Sequence, residues 1–271
     1  VNAATESGQN PSTSQAMVSV RDLHAGYGDH EILSDVSVEI ARGEIRVVLG
    51  GSGCGKSTLL RNILGLETPW SGTVKVIGVE LGKESTESGI ARSKLGVLFQ
   101  SGALVTSLTV GQNAMLPLVL DGIEPRGAAE ELARARLSQV GMAHAWNLLP
   151  SELSGGMRKR AALARALVRE PEILFCDEPS AGLDPVTSRA LDELLLELHA
   201  NLGLTMILVS HELESIRTLA HRILFLHEGK ALFDGSLKDA LESGPERVRG
   251  FFARQTDPSD TPTPSQWEII P

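Results

Sequence analysis

The sequence predicts an α/β fold built on a largely parallel sheet covered on both faces. Short apolar, β-branched runs alternate with helical stretches along most of the chain. The run Ile45–Leu49 leads into a glycine-rich loop and then a helix from Lys56. A second buried-strand run, Ile173–Cys176, ends in two adjacent carboxylates, Asp177 and Glu178. In sheets of this kind ligands sit at the carboxyl ends of the strands.

Taken in order, Met17–Val20, Val36–Ile40 and Ile45–Leu49 read as strands from their β-branched content, and Lys56 onward reads as helix. Val74–Ile77 and Val97–Phe99 follow as short apolar runs. Residues 109–169 then hold almost no strand signal and are rich in Ala, Leu, Arg and Glu, which predicts a helical insertion. Strand-like runs return at Ile173–Cys176, Met206–Val209 and Ile223–Leu226, with a helix predicted over Pro185–Ala200. There is no internal repeat. Residues 1–16 are rich in Ser, Thr, Asn and Gln, and 255–271 hold four prolines, three acids and no base. Both read as flexible tails, the second acidic and Pro-rich, although Trp267, Ile269 and Ile270 offer an alternative as a docking segment. Residues 17–254 between them read as one domain carrying a subdomain.

Composition narrows the function classes. A chain of 271 residues can bury a full core and sits near the upper size of one compact domain. Twenty-five bases against 34 acids give a net charge of −9, which argues against broad attachment to nucleic acid or anionic lipid. An apolar fraction of 42% excludes disorder. The two cysteines, Cys54 and Cys176, lie far apart, so neither a disulfide framework nor a Cys-based zinc site is expected, which fits a reducing compartment. The first 16 residues lack the basic and apolar regions of a secretory signal. Leu95–Leu120 runs 26 residues without a charge, but it contains Gln100, Ser101, Thr106, Ser107, Thr109, Gln112, Asn113 and Pro117. It is therefore rejected as a membrane span. The chain reads as soluble, with any membrane role borrowed from a partner.

Gly50, Gly51, Ser52, Gly53, Cys54, Gly55, Lys56 and Ser57 match the pattern G-x-x-x-x-G-K-S/T, with Thr58 continuing into the helix. The glycines let backbone N–H groups turn around phosphates, Lys56 supplies a point charge to the outer phosphates, and the Ser57 hydroxyl can ligate Mg²⁺. The helix beginning here adds its positive dipole end to the same place. Cys54 reads as a small residue at a variable position rather than a redox centre. Kinases, GTPases and transport ATPases all use such a loop, so the loop alone does not choose among them. Successive strand residues point to opposite sides, so Asp177 and Glu178 cannot share one task unless the strand ends between them. One carboxylate can hold Mg²⁺ and the next can orient or deprotonate an attacking water, which is a hydrolase arrangement. The basic run Arg158-Lys159-Arg160, with Arg165 and Arg169, reads as a solvated helix face rather than a nucleic-acid patch.

Leu153-Ser154-Gly155-Gly156-Met157 resembles the signature of ATP-binding-cassette (ABC) ATPases and stands, as in that family, before the acidic strand. Physically, Ser154 suits a helix N-cap and the glycines allow close backbone approach, which makes an anion site. Other matches fall in family order. Tyr27 resembles the aromatic that stacks on adenine, Gln100 the Q-loop glutamine that senses Mg²⁺ and the γ-phosphate, and Ser180-Ala181-Gly182-Leu183-Asp184 the D-loop, with Asp184 placed toward the opposite P-loop. His211 resembles the switch histidine. The resemblance implies a P-loop NTPase fold of ABC ATPase type, with a mainly parallel core sheet, an antiparallel β subdomain and a helical signature subdomain at about 103–169. It implies ATP and Mg²⁺ as cofactors, Glu178 as general base with His211 and Gln100 beside it, and Ser57, Gln100 and Asp177 toward the metal. Ser154, Gly155 and Gly156 would face the nucleotide of a second copy, so two ATPs are sandwiched between two chains.

One cassette without a membrane segment resembles a separately encoded motor subunit of a transporter, peripheral to the cytoplasmic face of a bacterial inner membrane through its permease subunits. Leu98–Leu104, Met115–Leu118, Met157 and Arg247–Phe252 resemble the ATPases of MCE-type (Mla-like) phospholipid transporters, which implies a periplasmic MCE-domain protein in the full complex. The D-loop segment Pro179–Leu183 instead has the commoner ABC form. The alternatives are the ATPase of a transporter for another solute, or a soluble non-transport ABC ATPase. A P-loop kinase leaves Glu178 and the signature without a role.

Overall fold

The computed structural model describes residues 16–81, 85–124 and 126–254. The chain runs β1 (Ala16–Tyr27), β2 (His30–Ala41), β3 (Ile45–Leu49), α1 (Lys56–Ile63), β4 (Ser71–Val76), α2 (Thr86–Ser93), β5 (Leu95–Leu98), α3 (Val110–Leu120), α4 (Ala128–Gln139) and α5 (Gly155–Leu167). It continues as β6 (Ile173–Asp177), α6 (Pro185–Leu202), β7 (Thr205–Val209), α7 (Leu213–Leu219), β8 (Arg222–His227), β9 (Lys230–Ser236), α8 (Leu237–Glu242) and α9 (Glu246–Arg254).

The strands form two sheets. One is a three-stranded antiparallel sheet in the order β2-β1-β4, and the other has six strands in the order β5-β6-β7-β3-β8-β9. All neighbours in the larger sheet are parallel except the β8–β9 hairpin. Its central strands are largely apolar because both faces are covered; every residue of β3 and β7 is buried, Arg46 and Thr205 included. Alternation along β3 divides the core. Ile45, Val47 and Leu49 join the packing of α3, α4, α5 and α6, whereas Val48 joins that of α1 and the antiparallel sheet. β6 splits the same way, with Leu174 and Cys176 on one side and Ile173 and Phe175 on the other. Arg46 on β3, only 1% exposed, is held by Glu44 at 2.5 Å, by Asp234 and by the Glu39 carbonyl at 3.0 Å, so it pins the two sheets together.

The antiparallel strands exceed the lengths predicted from apolar runs. β1 carries on past Val20 through exposed Arg21 and Asp22, where the register shifts and Asp22 takes a positive φ of 49°. β2 does the same at Asp35, with φ 55°. Bulges let both strands run on beyond the β-branched stretches from which they were read. β1 also begins at Ala16, which takes one residue out of the expected N-terminal tail; the remaining tail residues, 1–15 and 255–271, lie outside the described residues. β9 escaped the reading because only its hairpin turn announces it. Glu228 and Gly229 both have positive φ, the geometry of a two-residue hairpin loop.

α3, α4 and α5 occupy the stretch predicted to be helical. Thr109 and Ser154 cap α3 and α5 through their hydroxyls, and Asp184 caps α6, which ends on Gly203 at φ 63°. Among the described residues, no helix is long and apolar enough to cross a membrane. Leu95–Leu120 is instead β5, a loop and the 11-residue α3.

Candidate functional site

The loop 50–55 joins β3 to α1 at the carboxyl end of the parallel strands. Its turns need glycine. A Cβ on Gly50, at φ 146°, would lie 2.3 Å from the Leu226 carbonyl, and one on Gly55, at φ 103°, would lie 2.4 Å from the Leu33 side chain. Gly55 caps α1 with no side chain over it, and the first turn of α1 holds no acid. The helix N–H groups are thus left for an external anion. Lys56 curls back over the loop, its Nζ donating to the carbonyls of Gly50 at 2.8 Å and Gly51 at 2.9 Å. Gly51, Ser52, Gly53 and Ser57 are exposed, whereas Cys54 and Thr58 are buried beneath the loop. The cradle fits a chain of phosphates: backbone donors, a mobile cation and a dipole end, with no competing carboxylate in the helix's first turn.

Beside it three strand ends converge. β6 stops at Asp177, and Glu178 turns at φ 46° with its N–H donating to the Val209 carbonyl of β7 at 2.8 Å. The strand therefore ends between the two carboxylates, the condition under which they can serve one site. The Glu178 carboxylate accepts from Gln100 Nε2 at 3.1 Å, in the loop after β5, and from His211 Nδ1 at 3.1 Å, in the loop after β7. Burial, followed by the charge of Glu178, holds the Asp177 carboxyl above its ordinary value, while Lys159, Arg61 and Lys56 act against that. The oxygens of Asp177, Ser57 and Gln100 are the hard donors that Mg²⁺ prefers. Burial pushes the adjoining Cys176 thiol up to about 12, so it stays a neutral core group.

The signature stands apart. Ser154 accepts from the Met157 N–H at 3.2 Å and opens α5, but among the described residues no hydrogen bond joins 154–156 to the loop 50–58. A Cβ on Gly156 would lie 2.5 Å from Thr187 Cγ2, so that glycine lets the starts of α5 and α6 approach. Asp184 accepts from the N–H groups of Val186 and Thr187 at 3.1 and 3.0 Å and from the Thr187 hydroxyl at 2.5 Å. Those bonds, the Thr187 hydroxyl foremost, hold its carboxyl below the ordinary value. Tyr27, 46% exposed, is tethered rather than packed. Its hydroxyl donates to Glu67 at 3.0 Å and accepts from Arg61 of α1 at 2.7 Å.

The basic run corrects the sequence reading. Arg158 is exposed, but the rest of the run is half-buried or buried rather than a solvated face, and its arginines are stitched to main-chain carbonyls: Arg158 to Leu153, Arg160 to Val140 and Ala190, Arg165 to Gly102 and Ala103, Arg169 to Pro117. Lys159 is 5% exposed. A signal for it existed, because Gly156, Lys159, Leu163 and Leu167 follow the buried stripe of α5. A buried relay was missed altogether: Ser180 Oγ lies 3.3 Å from Ser215 Oγ, which donates to Asp192 Oδ2 at 2.6 Å. It joins three elements distant in sequence, and no local pattern marks it.

Residues 33–181 match the family model described as ABC transporter. The methionine import ATP-binding protein MetN of Bacillus subtilis is 36% identical over 254 residues, spanning 90% of this chain and 73% of that protein. The glutamate/aspartate import ATP-binding protein GltL of Escherichia coli K12 is 36% identical over 240 residues, spanning 88% of this chain and 99% of that one. Among solved structures, the dimeric bacterial ABC transporter cassette MJ0796 superposes with a TM-score of 0.74 at 30% identity, covering 82% of this chain and 99% of that one.

Proposed function

Because this chain belongs to the ABC transporter family, whose cassettes hydrolyse ATP, we propose that it is the motor subunit of a membrane transporter, working as a pair of copies beneath permease subunits at the cytoplasmic face of a bacterial inner membrane. The observation that carries this reading is the meeting of Gln100, Glu178 and His211 at the ends of three adjacent strands beside the loop 50–55.

In the proposed mechanism the loop N–H groups and Lys56 hold the phosphates, and Tyr27 offers its exposed ring to the base. Ser57, Asp177 and Gln100 hold Mg²⁺, which when bound neutralises charge on the phosphate oxygens. Glu178 takes a proton from the attacking water. Gln100 and His211 fix the orientation of that carboxylate. Ser154, Gly155, Gly156 and Asp184 serve the nucleotide of the second copy, a role supported by the dimeric state of the MJ0796 cassette. The exposed apolar side chains of Phe99, Val105 and Leu120 near the glutamine loop offer a seat for a permease segment.

For the transported substrate, the relatives favour a solute other than phospholipid, because those named above are ATPases of methionine and glutamate/aspartate import. The phospholipid reading rests on the resemblance of Leu98–Leu104, Met115–Leu118, Met157 and Arg247–Phe252.

Glu178→Gln tests the mechanism. It should retain ATP and lower turnover by roughly 10²–10⁴-fold, in the range of a lost general base, while trapping an ATP-bound pair of chains; wild-type turnover would remove Glu178 from the role. Purification with the associated membrane protein tests the assignment as a motor. Stimulation of the reconstituted complex by an amino-acid-loaded binding protein, set against stimulation by phospholipid, decides between the substrates.

A further inference from the structure

We propose that Lys159 is a positioning residue that couples the signature helix of a chain to that chain's own hydrolytic pair, Gln100 and Glu178. The proposal rests on the reading of those two residues given above. Lys159 lies on α5, one turn beyond the Ser154 cap, and is 5% exposed. Its ammonium does not meet a carboxylate. It donates to two main-chain carbonyls, that of Gln100 and that of Glu178, the latter at 3.0 Å.

These two residues are 78 positions apart in sequence, and their side chains are bonded to each other at 3.1 Å. Lys159 is therefore the third side of a closed figure: helix to glutamine loop, helix to the end of β6, and glutamine to glutamate. Glu178 stands at φ 46°, a conformation that a residue with a Cβ keeps only where its surroundings fix it. Three bonds to its main chain hold it here: its N–H donates to the Val209 carbonyl, and its carbonyl accepts from the Ala181 N–H at 3.2 Å and from Lys159. Burial lowers the pKa of this lysine, a cost that a merely space-filling methionine would not incur. In exchange, Lys159 gives the Gln100 carbonyl a donor that an apolar side chain would take away, and gives the Glu178 carbonyl a second one beside the Ala181 N–H.

The consequence is mechanical. Ser154, at the start of α5, is proposed to face the nucleotide held by the second copy. A shift of α5 on engaging that nucleotide moves Lys159, and with it the backbones carrying Gln100 and Glu178. Each chain's base is thus set by the nucleotide on its partner.

The test compares Lys159→Met and Lys159→Arg in the full chain, measuring ATP affinity, thermal midpoint and steady-state turnover, with Glu178→Gln in parallel. Lys159→Met should lower kcat by about tenfold or more with ATP affinity held within about twofold, the split expected when an interaction that serves only the reaction is lost. Lys159→Arg, which restores donors, should recover most of the rate. Wild-type kcat in Lys159→Met overturns the proposal. So does a parallel loss of affinity and rate, or an arginine variant that folds yet stays as slow as the methionine one. Should Lys159→Met not fold, Lys159→Gln, whose shorter amide reaches at most one of the carbonyls, takes its place, and an unchanged kcat in it is equally fatal. If Glu178→Gln itself turns over normally, the reading of the site fails; if only the lysine variants do, the coupling alone fails.

Discussion

Two helix starts in this molecule are built from similar materials and end up different. α1 follows the glycine cap Gly55 and α5 begins at Gly155, and neither carries an acid in its first turn. Around α1 the chain finishes the site itself: Lys56 folds over the loop, and the carboxylates at the end of β6 stand within electrostatic reach of it. Around α5 the chain's own groups are turned inward. Ser154 caps its helix, Asp184 spends both carboxylate oxygens on α6, and Gly156 is filled by Thr187, while Val186 beside them remains 79% exposed. A helix start without an in-chain ligand and flanked by an exposed apolar side chain is half of a site. The difference fits the proposed reading, in which one chain holds a nucleotide and a second completes the cover over it.

Substitution at the α5 start separates these roles most strongly. Ser154→Arg places a bulky cation where the second chain's nucleotide is proposed to lie. Hydrolysis should fall to background, while nucleotide binding by the same chain stays intact; losing the cap costs only about 1 kcal/mol, so the fold survives. A normal rate of phosphate release would break the distinction between the two helix starts. Lys56→Ala attacks the other one. Removing a charged donor of this kind is worth about 1.5–3 kcal/mol, so ATP affinity should weaken by roughly tenfold to a hundredfold in calorimetry. An unchanged affinity would show that the loop backbone and helix dipole suffice.

The α1 half of this contrast was legible in the sequence and much of the α5 half was not, for a physical reason. The loop at 50–57 makes its site from local backbone geometry, and the spacing of glycines encodes that directly. β3, β6 and β7 were legible because two buried faces demand nearly continuous apolar runs, interrupted in β3 by Arg46. Bulged β1 and β2 were read short, since their β-branched runs stop at polar residues, Asp22 and Asp35, through which the bulged strands continue. Lys159 and Arg165 were misjudged because their acceptors are carbonyls supplied by distant loops, and a carbonyl leaves no trace in residue type. His211 was found only by its order among the motifs; its bond to Glu178 spans 33 residues.

The smallest effect concerns the polar relay that connects the D-loop segment to the helix after the switch histidine. Ser180, Ser215 and Asp192 are all nearly inaccessible, and Asp192 Oδ1 has no hydrogen-bond partner among the described residues. Burial holds the Asp192 carboxyl above its ordinary value of 3.8, against the bond from Ser215. The sign follows from linkage: the folded chain binds this proton more tightly than the unfolded one, so the stabilising contribution is complete below the unfolded value and is lost as pH rises through the folded one. Asp192→Asn keeps an acceptor for the Ser215 hydroxyl and removes that titration. Its thermal midpoint should therefore match wild type at acid pH and exceed it at pH 7, by roughly 2–4 °C for a domain of this size. A variant that is less stable at pH 7 by the same margin would mean that the charged carboxylate is itself wanted there. The relay would then be an electrostatic element of the D-loop rather than a neutral strut between the half-built site and the complete one.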